Sequence, residues 1–216
     1  MKLAIFDLDG TLLDTLGTLA HHCNHVLQSH GYPTHPVDSY RYFLGEGSRK
    51  LLQRTLPQGT DQETVDTLLQ EYLSYYDEHL LGDTQPYPGI APLLQAWQER
   101  GLCLAVLSNK PHPQTCKLIE HFFPRRFDLV FGQREGVPRK PDPAAAIEIM
   151  NTLGVSPQET IYLGDTSTDM QTGRSCGAYT VGVLWGFRPK EELEQYHPDK
   201  IVARPQELMD LCVSER

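Results

Sequence analysis

The sequence lacks the features that mark secreted, membrane-spanning and nucleic-acid-binding chains. Its 216 residues include only five cysteines (Cys23, Cys103, Cys116, Cys176 and Cys212), an odd, scattered set with no CxxC pair. That usage argues against a disulfide framework or a cysteine-zinc site and reads as reduced packing thiols of a cytoplasmic protein. No apolar run approaches the roughly 18 residues that a membrane span needs. The first run, Leu3-Ala4-Ile5-Phe6, is broken at once by Asp7, which speaks against a secretory leader. Lysine and arginine number 19 against 28 aspartates and glutamates, a net charge of −9 with no long basic run. Nucleic acid and membrane are therefore not expected as partners. There are no repeats and no low-complexity segments. What remains is an ordinary globular balance, 39% hydrophobic and 22% charged, in a chain long enough to bury its own core.

Periodicity divides the chain in two. Leu3–Phe6 reads as a short buried strand ending in a loop. Apolar positions at Leu16, Leu19, Ala20, Cys23, Val26 and Leu27 predict an amphipathic helix from Thr15 to about His30, stopped by Gly31 and Pro33. Helices are also predicted over 37–44, 48–56 and 64–80, punctuated by Gly45, Gly47, Pro57 and Gly59. Beyond Gly82-Asp83 the pattern alternates. Helices are expected at 89–100, 112–122, 142–153 and 168–175, with strands at 102–107, 127–131, 160–163 and 178–183. A last strand near Ile201-Val202 and a helix from Pro205 close the chain. Such alternation predicts an α/β fold with a mostly parallel sheet covered on both faces. The all-helical block 15–83 interrupts it and reads as an inserted domain of 69 residues. Residues 1–14 and 84–216, 147 in all, are left for the α/β core.

Ligands of open α/β sheets bind beyond the carboxyl ends of the strands. Asp7-Leu8-Asp9-Gly10-Thr11 follows the first predicted strand and Ser108-Asn109-Lys110 the second. Arg139-Lys140-Pro141 lies after the third, and Gly164-Asp165 through Asp169 follows the fourth. Two acidic pairs, a hydroxyl and a lysine thus occupy successive strand ends. Converging carboxylates repel one another unless a cation sits among them. All-oxygen donors suit Mg²⁺, which is usually bound together with substrate phosphate.

Phe6-Asp7-Leu8-Asp9-Gly10-Thr11-Leu12 resembles the first signature of the haloacid dehalogenase-like phosphohydrolases. Ser108-Asn109, Lys140-Pro141 and Gly164-Asp165 through Asp169 resemble the second, third and fourth. The ordered set covers nearly the whole chain. It implies a Rossmann-like parallel core with an inserted α-helical cap. Leu44-Gly45-Glu46-Gly47-Ser48-Arg49 and Gly182-Val183-Leu184-Trp185-Gly186-Phe187 resemble the phosphoglycolate phosphatases within that superfamily.

The resemblance implies that Asp7 is the nucleophile, forming an aspartyl-phosphate, and that Asp9 is general acid and then general base. Ser108 and the Asn109 backbone would hold the transferring phosphoryl group, and Lys140 would neutralise nucleophile and phosphate. Mg²⁺ would be bound by Asp7, the Asp9 carbonyl and Asp165, with Asp169 in support. The adjacent Thr11 is expected among the residues of the phosphate site, with a hydroxyl that could orient Asp9. The implied activity is Mg²⁺-dependent hydrolysis of a small phosphorylated metabolite, with 2-phosphoglycolate as first candidate, by a monomer or homodimer.

The helical block carries nine acidic and four basic residues, and all four basic ones lie within 41–54. Gly45 and Gly47 precede Ser48, a candidate N-cap, and Arg49. Backbone amides of that kind beside an arginine suit an anion, here the non-reacting end of a substrate. Hinges for movement of the block are expected near 14–15 and 82–84. His21, His22, Cys23 and His25 lack the fourth ligand and the HExxH spacing of a zinc site and read as a helix face. Trp97 and Trp185 read as packing or loop residues. Other readings on the same scaffold are a pyrophosphatase, another sugar-phosphate or nucleotide phosphatase, or a phosphosugar mutase. From a different class comes a signalling receiver that stores phospho-aspartate without turnover. Receivers, however, are about half this length and carry their acidic pair adjacent.

Overall fold

A computed structural model describes residues 1–209 and 211 of the chain. It divides into two units, one formed by Met1–Asp14 with Gln85–Arg216 and the other by Thr15–Thr84.

The first unit is built on a six-stranded sheet. Its strands are β1 (Leu3–Phe6), β4 (Cys103–Pro111), β5 (Leu129–Gln133), β6 (Thr160–Gly164), β7 (Tyr179–Val183) and β8 (Lys200–Val202). They lie in the order β5-β4-β1-β6-β7-β8, and every pairing is parallel. All four residues of β1 are buried, as expected of a central strand covered on both faces. Side chains alternate between the faces of a strand. Leu3 and Ile5 join Ala146, Ile149 and Met150 of helix α7 (Ala144–Leu153) in one apolar cluster. Phe6, of opposite parity, meets fully buried Trp97 of helix α5 (Ile90–Glu99) at 5.7 Å between ring centroids. The remaining helices of this unit are α6 (His112–Phe122), α8 (Ser167–Ser175) and α9 (Lys190–Glu194).

Register decides what meets at the site. Phe6 pairs with Val106 of β4 and with Leu163 of β6. Asp7, the next residue, therefore leaves the sheet between the ends of β4 and β6. Its amide donates to the Leu163 carbonyl at 2.9 Å.

The second unit holds α1 (Leu16–Ser29), α2 (Tyr40–Phe43), α3 (Ser48–Thr55) and α4 (Gln62–Glu78). Buried Leu16, Leu19, Ala20, Cys23, Val26 and Leu27 line one face of α1, at the spacing that predicts the helix. Asp61 caps α4 by accepting from the Thr64 amide at 2.8 Å. At both chain crossings, β2 (Leu13–Asp14) and β3 (Gln85–Pro86) form a two-residue antiparallel ladder.

Several boundaries differ from the expectations. β4 continues to Pro111, past Leu107, because it is carried on by polar residues that break the apolar run. The segment 37–44 begins as a 3₁₀ turn at Val37–Ser39 before α2. Residues Pro205–Leu208 are also a 3₁₀ turn rather than an α-helix. The ladder β2–β3 and the five-residue α9 are too short to show a period. The four described cysteines are free, and Cys212 lies outside the described residues. Among the described residues no helix is long and apolar enough to cross a membrane.

Because Ile5 is fully buried in the central strand, Ile5→Ala is expected to destabilise the protein by about 2–5 kcal/mol. Urea unfolding followed by circular dichroism measures this, and an unchanged midpoint would contradict the packing described.

Candidate active site

The carboxyl ends of β4, β1 and β6 bring together most of the polar residues singled out in the sequence. Asp7 follows β1, Ser108, Asn109 and Lys110 lie in the last turns of β4, and Asp165 follows β6. The pairing of β4 with β5 shifts register between Leu107 and Pro111. An irregularity of this kind re-aims side chains at a sheet end. All three polar residues there are buried.

Lys140 is the hub. Its ammonium donates to Asp7 Oδ1 at 2.6 Å and to Asp169 Oδ1 at 2.7 Å. Burial by itself would lower its pKa, but Asp169 and Asp7 hold it well above the ordinary lysine range, so it stays charged. Asn109 fixes the Lys140 backbone from both sides. Its Nδ2 donates to the Lys140 carbonyl at 3.1 Å, and its Oδ1 accepts from the Lys140 amide at 2.9 Å. The Asn109 side chain thus serves to hold the Lys140 loop in place.

Asp7, Asp165 and Asp169 each offer a carboxylate oxygen within 4.8 Å of the others, and all three are buried. Burial first of all pushes Asp7 well above the usual carboxylate range, Lys140 pulls it back, and Asp169 and Asp165 push it further up. Asp165 is pushed up to about 7 by burial and by Asp169, against the pull of the Phe187 amide, Thr11 and Lys140. Three buried carboxylates around one ammonium form a site that favours a further cation. The hard, all-oxygen donor set suits Mg²⁺ or a similar divalent ion.

The surroundings of Asp165 are built by close backbone approach. A Cβ on Gly186 would lie 2.4 Å from the Asp165 Cβ, and one on Gly10, at φ +87°, would lie 2.3 Å from its Oδ2. The Phe187 amide donates to Asp165 Oδ2 at 2.7 Å, and Trp185 Nε1 donates to the Thr11 carbonyl at 2.9 Å. Gly186 and Phe187, at the end of the Gly182–Phe187 run that stands out in the sequence only as a likeness, therefore form one wall of this carboxylate. Thr11 is a correction. Its hydroxyl donates to Asp165 Oδ1 at 3.1 Å and does not orient Asp9. The tight turn in which Gly10 N donates to the Leu13 carbonyl directs Thr11 into the core.

Asp169 accepts at Oδ2 from the Thr166 amide and hydroxyl at 3.1 and 2.7 Å, closing a capping box on α8. The Tyr162 hydroxyl donates to its Oδ1 at 3.4 Å. Burial raises the Tyr162 pKa far above its usual value and keeps that proton in place. Tyr162 gives no signal in the sequence because it sits inside the apolar run of β6.

Asp9 is more open than its neighbours, and its Oδ1 lies 3.1 Å from the buried Lys110 ammonium. Lys110 gives little signal in the sequence, where Ser108 and Asn109 account for the motif without it. Ser108 Oγ accepts from the Lys110 amide at 3.2 Å, which leaves its own proton to donate to an incoming anion.

The helical unit also departs from expectation. Gly47, at φ +87°, and not Ser48 is the N-cap of α3. Gly45 is left-handed as well. Arg49 forms an ion pair with Asp66 of α4, and Arg54 one with Glu46. His25 stacks on Tyr75 at 4.0 Å, Tyr75 stacks on His79 at 4.2 Å, and His22 meets Tyr75 edge-on at 5.3 Å. The histidine run is thus an aromatic face between α1 and α4.

Comparison with known proteins agrees with this geometry. The model of the haloacid dehalogenase-like hydrolases matches residues 4–183, and the chain belongs to that family. A phosphoglycolate phosphatase of Aquifex aeolicus is 31% identical over 98% of this chain and 96% of its own length. An N-acetylmuramic acid 6-phosphate phosphatase of Pseudomonas aeruginosa is 32% identical over 98% of this chain and 94% of its own length. A crystal structure described as a candidate phosphoglycolate phosphatase, from Lactobacillus delbrueckii subsp. bulgaricus, superposes with a TM-score of 0.93. It is 31% identical and covers 99% of both chains.

The raised Asp165 pKa sets the sign of a pH effect. Between its ordinary 3.8 and about 7, the folded protein keeps a proton that the unfolded chain has released. Stability of the metal-free protein therefore falls as pH rises across that window and levels off above it. Thermal melts in EDTA from about pH 5.5 to 8 are expected to show a falling Tm. A flat or rising Tm would contradict the protonation assigned to this cluster.

Proposed function

We propose that this phosphatase of the haloacid dehalogenase-like family hydrolyses small organic phosphate monoesters, 2-phosphoglycolate among them, through an aspartyl-phosphate on Asp7. The observation that carries this reading is the convergence of Asp7, Ser108 and Lys140 beyond adjacent strand ends, with Asp9 two residues further on. The names of the relatives support the substrate class, and they differ in the alcohol that leaves. The scattered free cysteines are in keeping with work in the cytoplasm.

In the first half-reaction an Asp7 oxygen attacks phosphorus, the phosphorus–oxygen ester bond breaks, and Asp9 gives its proton to the leaving alkoxide. In the second, Asp9 as carboxylate takes a proton from water, whose oxygen attacks phosphorus. The bond to Asp7 breaks and inorganic phosphate leaves. Splitting the hydrolysis this way replaces one difficult displacement by two easier ones. Lys140 and the Ser108 hydroxyl offset and orient the phosphoryl charge, the main task in such transfers. Mg²⁺, held by Asp7, the Asp9 carbonyl and Asp165 with Asp169 in support, would supply the remaining positive charge. Thr11 and the Phe187 amide keep Asp165 in place for that task. The helical unit is assigned the role of a cap.

Two measurements check this. Phosphate release from 2-phosphoglycolate is expected to require a divalent cation and to stop in EDTA. Asp7→Asn is expected to lower kcat by roughly ten-thousand-fold or more while the protein stays folded. A folded Asp7→Asn protein with wild-type kcat would remove Asp7 from the nucleophile's role.

A further inference from the structure

Lys110 has an arrangement that the mechanism above does not use. Its ammonium is buried in the α/β unit, with the side chain 3% exposed, and lies 3.1 Å from Asp9 Oδ1. Its main chain is fixed on both sides. The amide donates to Ser108 Oγ at 3.2 Å and the carbonyl accepts from Thr115 Oγ1 at 3.3 Å. Gly132 leaves no slack behind it, since a Cβ there would lie 2.7 Å from the Lys110 carbonyl oxygen. Burying an ammonium carries a desolvation penalty that calls for partners of opposite charge. A cation fixed in this way faces whatever lies beside Asp9.

We propose that Lys110 selects the substrate by pairing with an anionic group on the leaving alcohol, close to the ester oxygen. The proposal rests on the phosphatase reading, in which Asp9 faces that oxygen. An acid must come within about 3 Å of the atom it protonates. With Nζ 3.1 Å from Asp9 Oδ1, and with that oxygen taken as the one that carries the proton, Lys110 lies within about 6 Å of the ester oxygen. A carboxylate on the carbon next to that oxygen spans about 3 Å of this gap, from ordinary bond lengths. What remains is an ion-pair distance. The substrate class so defined is phosphate esters of short 2-hydroxy acids. Neutral alcohols of the same size would offer Lys110 no anionic group. A lysine suits this task as a compact point charge that can be shared between Asp9 and the incoming carboxylate.

In the helical unit, the arginine expected to hold the non-reacting end of the substrate, Arg49, is paired with Asp66. The α/β unit therefore carries its own cation for that end.

The test compares 2-phosphoglycolate with 2-hydroxyethyl phosphate, its neutral counterpart, using the wild-type protein and the Lys110→Met and Lys110→Arg variants in Mg²⁺. The quantity read is the ratio of kcat/KM for the acid ester to that for the neutral ester. Wild type is expected to favour the acid ester. In Lys110→Met the ratio is expected to fall roughly 10- to 100-fold, mainly through a higher KM for the acid ester, the usual cost of losing a hydrogen bond to a charged group. Lys110→Arg is expected to keep most of the preference. A wild-type enzyme that does not prefer the acid ester overturns the proposal. So does a Lys110→Met protein that loses activity on both esters in proportion, since Lys110 would then act only by positioning Asp9. If wild type turns over neither ester nor any other phosphate monoester, the phosphatase reading itself fails, and the role of Lys110 with it.

Discussion

The buried bridge from Lys140 to Asp7 and Asp169, at 2.6 and 2.7 Å, joins the end of β1 to the start of α8 through one ammonium group. Around it the protein gathers four carboxylates, those of Asp7, Asp9, Asp165 and Asp169, and two ammonium groups, those of Lys110 and Lys140. Fully ionised, these groups would carry an excess of two negative charges, and burial counters that by pushing Asp7 and Asp165 above the usual carboxylate range. Such an arrangement is costly for a resting fold and is found where charge is needed for chemistry. One divalent cation would balance it.

The architecture serves that cluster. β1 is the central strand, so Asp7 leaves the sheet with β4 on one side and β6 on the other. A parallel sheet sends every strand's carboxyl end to the same edge, which lets residues more than a hundred positions apart in sequence meet there. The glycines at 10 and 186 let two loops close on Asp165 at distances no side chain would permit. Asn109 holds the Lys140 loop through its main chain, and Tyr162 and Thr166 hold Asp169. Each of these charged groups is positioned by a neutral one, and the neutral groups are the harder ones to foresee.

Most of the elements in both units are legible in advance, because short apolar runs such as Leu3–Phe6 and three- and four-residue spacings such as those of α1 carry their own period. The carboxylates are legible because they stand at or shortly after the ends of such strands, and Lys140 because it falls in the loop after β5. Lys110 and Tyr162 are not, one because it follows a motif already accounted for, the other because it lies within an apolar strand. Proximity in sequence pairs Thr11 with the nearer aspartate, Asp9. Its hydroxyl reaches Asp165, 154 residues away, through a turn whose direction is set by the positive φ of Gly10. Partnerships of that kind depend on register between distant strands, which local pattern does not contain.

We propose that the carboxylates at the strand ends bind a divalent cation, on which the approach of a phosphate dianion depends. Calorimetric titration of Mg²⁺ into the EDTA-treated protein tests this most directly, alongside an Asp165→Asn variant shown by circular dichroism to be folded. The expected result is one Mg²⁺ per wild-type chain and no binding by the variant over the same concentration range. A wild-type protein that hydrolyses a phosphate ester at full rate yet binds no divalent cation would contradict the account.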